Sequence, residues 1–176
     1  MSFQDSLDVG KAGETEISKW LMERGFNILP IYEVLQGNYK GPTLYASSGE
    51  TIIAPDLLAF KGDKIIWFEA KHKTAFSWHR KTSRFVTGID IHHYEQYQKI
   101  SKLVDWPVWL LFLHKGGQAK DSPASPSGLY GNDLIKLMDT VNHTHGNYGK
   151  SGMVYWAEQS LRKICNYPLT GKVNEH

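Results

Sequence analysis

The chain has 176 residues, 41% of them hydrophobic, a size that suits one domain with a buried core. Its 20 Lys and Arg against 18 Asp and Glu leave a net charge of +2, so a nucleic-acid partner has to be met by a local basic surface, not a global excess of charge. The single Cys165 excludes an internal disulfide framework and a four-cysteine zinc site. The polar start, Met1 to Gly10, and the short apolar run Trp106 to Leu113 argue against a signal peptide and a membrane span, so a cytoplasmic protein is expected.

From Lys11 to Arg24, Ile17, Trp20 and Leu21 recur at helical spacing before Gly25, which suits a left-handed helix stop, and a helix is expected there. Phe26 to Glu33 reads as a strand. Gln36 to Gly49, rich in Gly, Ser and aromatic residues, reads as a loop or irregular hairpin. Thr51 to Phe60 and Lys64 to Lys71 are apolar runs with β-branched and aromatic residues, separated by the hairpin-turn pair Gly62-Asp63. His72 to Gly88 is a polar, basic loop. Asp90 is placed to cap a helix running to about Val104, with Tyr94, Tyr97, Ile100 and Val104 facing inward. Trp106 to His114 reads as a strand and Lys115 to Gly128 as a surface loop. Leu129 to Val141 should contain a short helix, Met153 to Trp156 a short strand, and Glu158 to Cys165 a closing helix.

The hairpin has a chemical consequence. If Gly62 and Asp63 form a two-residue loop, Lys61 faces Lys64, and counting outward along both strands sets Asp56 opposite Glu69. Opposed β-carbons sit roughly 4.5–5.5 Å apart, and like charges there are destabilising. Magnesium or manganese would relieve the repulsion, with water and substrate phosphate completing the shell. Lys71 shares the strand face of Glu69, where its ammonium would reach the water or phosphate beside the metal and assist phosphodiester hydrolysis. The plainer alternative is a Pro-Asp turn beside two solvent-facing charges.

Glu14 shares a helix face with Ile17 and Leu21, so it is either an inward carboxylate that needs a partner or a first-turn acid favoured by the helix dipole. Lys61 to Arg84 carries seven Lys and Arg against Asp63 and Glu69, with His72, Trp78 and His79 interleaved. Lys73, Trp78, His79, Arg80, Lys81 and Arg84 are therefore candidate DNA contacts, the alternative being a solvated basic loop. His92-His93 and His143-Thr144-His145 lack the His-Glu-x-x-His pattern and the cysteines of a zinc site and read as surface or helix-end histidines, with His93 or Tyr94 within reach of a phosphate.

Taken in order, Glu14 on a helix ending in Glu23-Arg24-Gly25-Phe26, then Asn27-Ile28-Leu29, then Pro55-Asp56-Leu57-Leu58-Ala59-Phe60, then Trp67-Phe68-Glu69-Ala70-Lys71-His72-Lys73, resemble the PD-(D/E)XK nuclease superfamily. The pattern is nearest to archaeal Holliday-junction resolvases and their bacterial relatives, and covers a core of about residues 11–114, with 115–176 as a C-terminal extension of a single domain. The resemblance implies an α/β, restriction-endonuclease-like fold with a mixed central β-sheet flanked by α-helices. It implies a magnesium- or manganese-dependent DNA endonuclease, with structure selectivity on branched DNA as one form. Asp56, Glu69 and the Ala70 carbonyl would hold the metal, Glu14 would join directly or through water, Lys71 would position the attacking water, and Gln96 would assist from the following helix, with Tyr97 competing for that place although its helical spacing makes it a core residue first. DNA is the implied partner, a homodimer the implied assembly. The rivals are an inactive nucleic-acid-binding module of the same fold and a protein-interaction domain without metal.

Overall fold

The computed structural model describes residues 3–30, 33–35, 38–40, 42–118, 122–147 and 150–169, with side chains over 13–29, 42–118, 122–146 and 152–169. Parts of the segments expected as strand 26–33, loop 36–49 and loop 115–128 lie outside the described residues. The elements run α1 (Phe3–Glu23), β1 (Asn27–Pro30), β2 (Glu33–Leu35), β3 (Asn38–Lys40), β4 (Thr43–Tyr45), β5 (Thr51–Ile53), β6 (Leu57–Lys61) and β7 (Lys64–Lys73). Then follow β8 (Ser77–His79), β9 (Arg84–Asp90), α2 (Ile91–Leu103), β10 (Val108–His114), β11 (Gly128–Asp133), α3 (Leu134–Met138), β12 (Val141–Asn147), β13 (Lys150–Ala157), a 3-10 turn (Glu158–Ser160) and β14 (Arg162–Cys165).

Six strands form the central sheet in the order β1-β6-β7-β10-β11-β14, with β7 and β10 parallel and the other neighbours antiparallel. Side chains alternate across it, as the period of two requires. Leu58, Trp67, Leu110 and Phe112 pack with Tyr97 and Ile100 of α2, while Leu57, Phe68, Ala70, Leu111 and Leu113 pack with Ile17 and Leu21 of α1. The two helices therefore cover opposite faces, and β10 is buried on both, which explains its unbroken apolar run. Burying Leu110, Leu111, Phe112 and Leu113, at roughly 1.5–3 kcal/mol each, holds this strand at the centre. The mixed α/β sheet between helices that the resemblance implies is what the chain forms.

A second sheet, β12-β13-β9-β8, packs on the α2 side through Ile89, Val154 and Trp156. Here the sequence reading needs correction. Residues 72–88 are not a loop: β7 runs on to Lys73 and a β8–β9 hairpin follows, because Phe76 and Val86 are buried and only its tip carries the charges. The run 51–60 is two strands, broken at Ala54-Pro55-Asp56, where Pro55 has no N–H for a ladder and Ala54 N–H turns to the Pro42 carbonyl at 2.8 Å. Helix α1 begins at Phe3, ahead of the expected Lys11. The expected closing helix 158–165 is a single 3-10 turn and then β14, which takes the free edge of β11. Residues 129–141 do contain the expected short helix, α3 over Leu134–Met138, capped by Asp133 accepting from the Ile135 N–H at 2.9 Å, with β11 occupying the residues before it. Helix α2 starts as expected, Asp90 accepting from the His92 N–H at 2.8 Å. Among the described residues no helix is long and apolar enough to cross a membrane.

Candidate active site

The β6–β7 hairpin closes with Lys61 opposite Lys64, and its register runs outward to Leu57 opposite Phe68. One step further the ladder gives way to side chains. The Asp56 N–H donates to Glu69 Oε2 at 3.3 Å, and the Ala70 N–H donates to Asp56 Oδ2 at 3.1 Å. Glu69 is completely buried, a costly position for a carboxylate unless it is paired. Lys71, two residues on and on the same strand face, brings its ammonium to Glu69 Oε1. From α2, across the same face, Tyr97 hydrogen-bonds Glu69.

This crowding divides the protons unequally. Burial, and then the neighbouring Glu69, push Asp56 up to about 8, against a smaller opposing pull from Lys71. Burial also pushes Glu69 upward, but Lys71 and the hydrogen bonds from Lys71, Tyr97 and Asp56 outweigh it and hold Glu69 below the usual carboxylate range. Burial disfavours the Lys71 ammonium, yet Glu69 and Asp56 more than compensate and raise its pKa. At neutral pH the set is thus a protonated Asp56, an ionised Glu69 and a charged Lys71. Two carboxyl groups this close keep one proton between them.

A cation held by both carboxylates would have to displace that proton. A divalent ion on Asp56 and Glu69 would replace it, and the Ala70 carbonyl points to the same side, since the N–H and C=O of one strand residue share a direction and this N–H reaches Asp56. Among the described residues no three His, Cys, Asp or Glu side chains come together as a ligand cluster. Two carboxylates, a backbone oxygen, water and phosphate suit magnesium, which is commonly held by one or two carboxylates with waters retained.

Glu14, on α1, reaches the pair electrostatically: its charge contributes to raising both Asp56 and Lys71. Gln96 turns elsewhere, its Oε1 accepting from the Ile53 N–H at 3.3 Å, so it steadies β5 three residues ahead of Asp56. Of the two candidates on α2, Tyr97 is the one that hydrogen-bonds Glu69. His93, one turn earlier, lies 6.0 Å from the Tyr97 ring and within the field of Glu69 and Lys71; burial comes first in lowering its pKa. The 3.6-residue period puts His93 and Tyr97 on one face, and that was the available sequence signal.

Of the proposed DNA contacts, Lys73 continues the row of Glu69 and Lys71 along β7, and burial, then Lys71, lower its pKa. Arg80, Lys81 and Arg84 are exposed at the β8–β9 tip. His79 lies on the strand face of Arg84, its register partner. Trp78 belongs to the opposite, core-directed face, where its ring meets Phe85 edge-on at 5.0 Å. An apolar cavity of about 380 Å3 lies on the α1 side among Trp20, Phe26, Phe68 and Trp109, away from the carboxyl pair.

No protein-family model matches the sequence, and no curated protein matches it. The fold is similar to the crystal structure of a Holliday junction resolvase from Archaeoglobus fulgidus, at 12% identity and a TM-score of 0.47, over 82% of this chain and 86% of that one. At this level of likeness the residues themselves have to carry the functional reading.

Proposed function

We propose that the protein is a divalent-metal-dependent nuclease that hydrolyses DNA phosphodiester bonds. The observation that carries this reading is the Asp56–Glu69 pair, two carboxyl groups brought together at the end of the β6–β7 hairpin, where Glu69 accepts from the Asp56 N–H and Asp56 from the Ala70 N–H, with Lys71 beside them. Asp56, Glu69 and the Ala70 carbonyl would hold magnesium or manganese. When bound, such an ion lowers the pKa of a coordinated water and offsets the charge of the phosphodiester. The chain's own groups do the rest. Lys71, held on Glu69, presents an ammonium where a water or a phosphate oxygen adjoins the pair and offsets developing negative charge. Tyr97 fixes the Glu69 carboxylate from α2, a supporting hydrogen bond of the kind that keeps ligands oriented. Lys73 extends the positive row along β7 toward the backbone of the DNA.

The test is cleavage of supercoiled plasmid, linear duplex, single strand and a four-way junction with magnesium, manganese or chelator, comparing the parent with Asp56→Ala and Lys71→Ala. Metal-dependent cutting by the parent, lost in both variants, is the expected result. Absence of cutting on every substrate, together with absence of magnesium binding by calorimetry, would overturn the reading and favour the binding-module alternative.

A further inference from the structure

The second sheet has a face that the cleavage chemistry does not use. Residues on its core side include Phe85, Ile89, Val154 and Trp156. The alternation of antiparallel strands sends His79, Arg84, Tyr155 and His143 to the other side, since His79 pairs with Arg84, Tyr155 with Gly88, and His143 with Tyr155. Three of these rings form a column. His79 lies on His143 with centroids 4.1 Å apart and planes 14° from parallel, and His143 lies on Tyr155 at 4.6 Å and 12°. All three are half-buried, so each keeps surface open to water. The column is held in place: His79 Nδ1 bonds Thr82 Oγ1 at 2.8 Å, and His143 Nδ1 bonds Asn142 Oδ1 at 2.7 Å. Gly88 makes room, because a Cβ there would sit 2.9 Å from Tyr155 Cδ1 and 2.2 Å from the Val154 carbonyl oxygen.

The surroundings are mainly of one sign. Residues 74–90 and 141–157 together contain four Lys and Arg and three His against one carboxylate, Asp90, whose Oδ1 accepts from the His92 N–H at the start of α2. The charged groups that act on His143 are His79, His145 and Lys81, with no carboxylate among them. Flat rings beside uncompensated cations match a strand that offers both unstacked bases and phosphates.

We propose that this outer face of the second sheet binds single-stranded DNA, with a base stacking on the His79–His143–Tyr155 column and Arg80, Lys81 and Arg84 taking the phosphates. The inference rests on the nuclease reading for its partner and deepens it, by making an unpaired strand the part of the substrate that meets this face.

The test is fluorescence anisotropy in chelator with three labelled probes of about 15 nucleotides: oligo-dT, the same backbone made of abasic sites, and a duplex. The parent should bind oligo-dT at least ~5-fold more tightly than the abasic strand, the lower end of what one stacked base contributes. His143→Ala, which removes the middle ring, should erase that preference and leave abasic binding within about twofold. His79→Ala, at the end of the column, gives an independent reading should the first variant not fold. Equal binding of oligo-dT and the abasic strand by the parent would overturn the inference, as would an equal loss on both strands in the variants, which would mark charge alone. Cleavage is not involved in these measurements. A protein that prefers oligo-dT and cuts nothing keeps this site and loses the nuclease reading, and one that cuts without the preference does the reverse.

Discussion

Replacing Asp56 by Asn should stabilise the fold in chelator while removing its response to magnesium. The folded chain holds the Asp56 proton up to about 8, whereas the unfolded chain releases it near the ordinary 3.8. The roughly three pH units between 3.8 and neutrality, at about 1.4 kcal/mol each, set a ceiling of ~4 kcal/mol on what that protonation costs the fold. Asp56 is partly open to water, which takes a share, so the gain expected for Asp56→Asn at pH 7 is about 1–3 kcal/mol. The amide keeps the contacts: its oxygen can accept from the Ala70 N–H and its NH2 can donate to Glu69, as the protonated carboxyl does. Urea unfolding at pH 7 in chelator measures the gain. Repeating it with magnesium at about 100-fold over its Kd should raise the parent by ~2.7 kcal/mol and the variant hardly at all. A variant less stable than the parent in chelator, or equal stabilisation of both by magnesium, would refute the reasoning.

Lys71→Met leaves Glu69 buried without its cation and should cost about 3–5 kcal/mol in urea unfolding, with Lys71→Arg restoring most of it; an unchanged midpoint would show that the pair is not a structural necessity. Tyr97→Phe keeps the ring in the core but removes the hydrogen bond to ionised Glu69, so about 1.5–3 kcal/mol of stability should go, with at least ~10-fold of the magnesium affinity read by calorimetry. Gly88→Ala puts a Cβ against the Val154 carbonyl, which cannot move without parting β9 from β13. Its cost should reach the upper end of the ~1–3 kcal/mol typical of overpacking, and thermal unfolding at the parent's temperature would contradict this.

How far the sequence speaks depends on how local each signal is. The β6–β7 hairpin was readable because two apolar runs flank Gly62-Asp63, and the meeting of Asp56 with Glu69 then follows by counting. Helix α2 was readable because Asp90 caps it and Tyr97 and Ile100 recur at its period. The β8–β9 hairpin was not: its apolar residues become a strand face only against β13, where Val86 meets Ala157 and Thr87 meets Trp156 some seventy residues along the chain. The same holds for β14, whose Arg162-Lys163-Ile164-Cys165 has no alternation of its own and is a strand because β11 offers an edge. On α2 the two neighbouring candidates part company. Gln96 and Tyr97 differ by about 100° around α2, enough to send one to β5 and the other to Glu69, and only the placement of α2 over β7 decides between them.

The second titrating group of the interior works against Asp56, and the opposition can be measured. His114, at the end of β10, is fully buried and stacks on Phe76 at 3.6 Å. Neither of its ring nitrogens makes a well-formed hydrogen bond. Burial, with Lys73 and His72 adding like charge, pushes its pKa down to about 3 against a pull from the Ala75 backbone. Its depressed folded value means that the unfolded chain takes up this proton first. The stability His114 permits is therefore complete above its ordinary 6.5 and is lost as pH falls toward 3. Asp56 has the opposite sign, since its raised folded value gives stability that is complete below 3.8 and lost as pH rises toward 8. Between about pH 4 and 6 the two slopes, each ~1.4 kcal/mol per unit, cancel in the parent. Removing one exposes the other. His114→Leu should gain on the parent by ~2 kcal/mol between pH 7 and pH 5, and Asp56→Asn should lose part of its advantage over the same interval. Unfolding free energies in chelator at the two pH values give both differences, with every other titrating group common to the pair being compared. If the advantage of His114→Leu is the same at pH 7 and pH 5, His114 does not titrate as its burial requires, and the imidazole has a proton partner in solution that its packing does not provide.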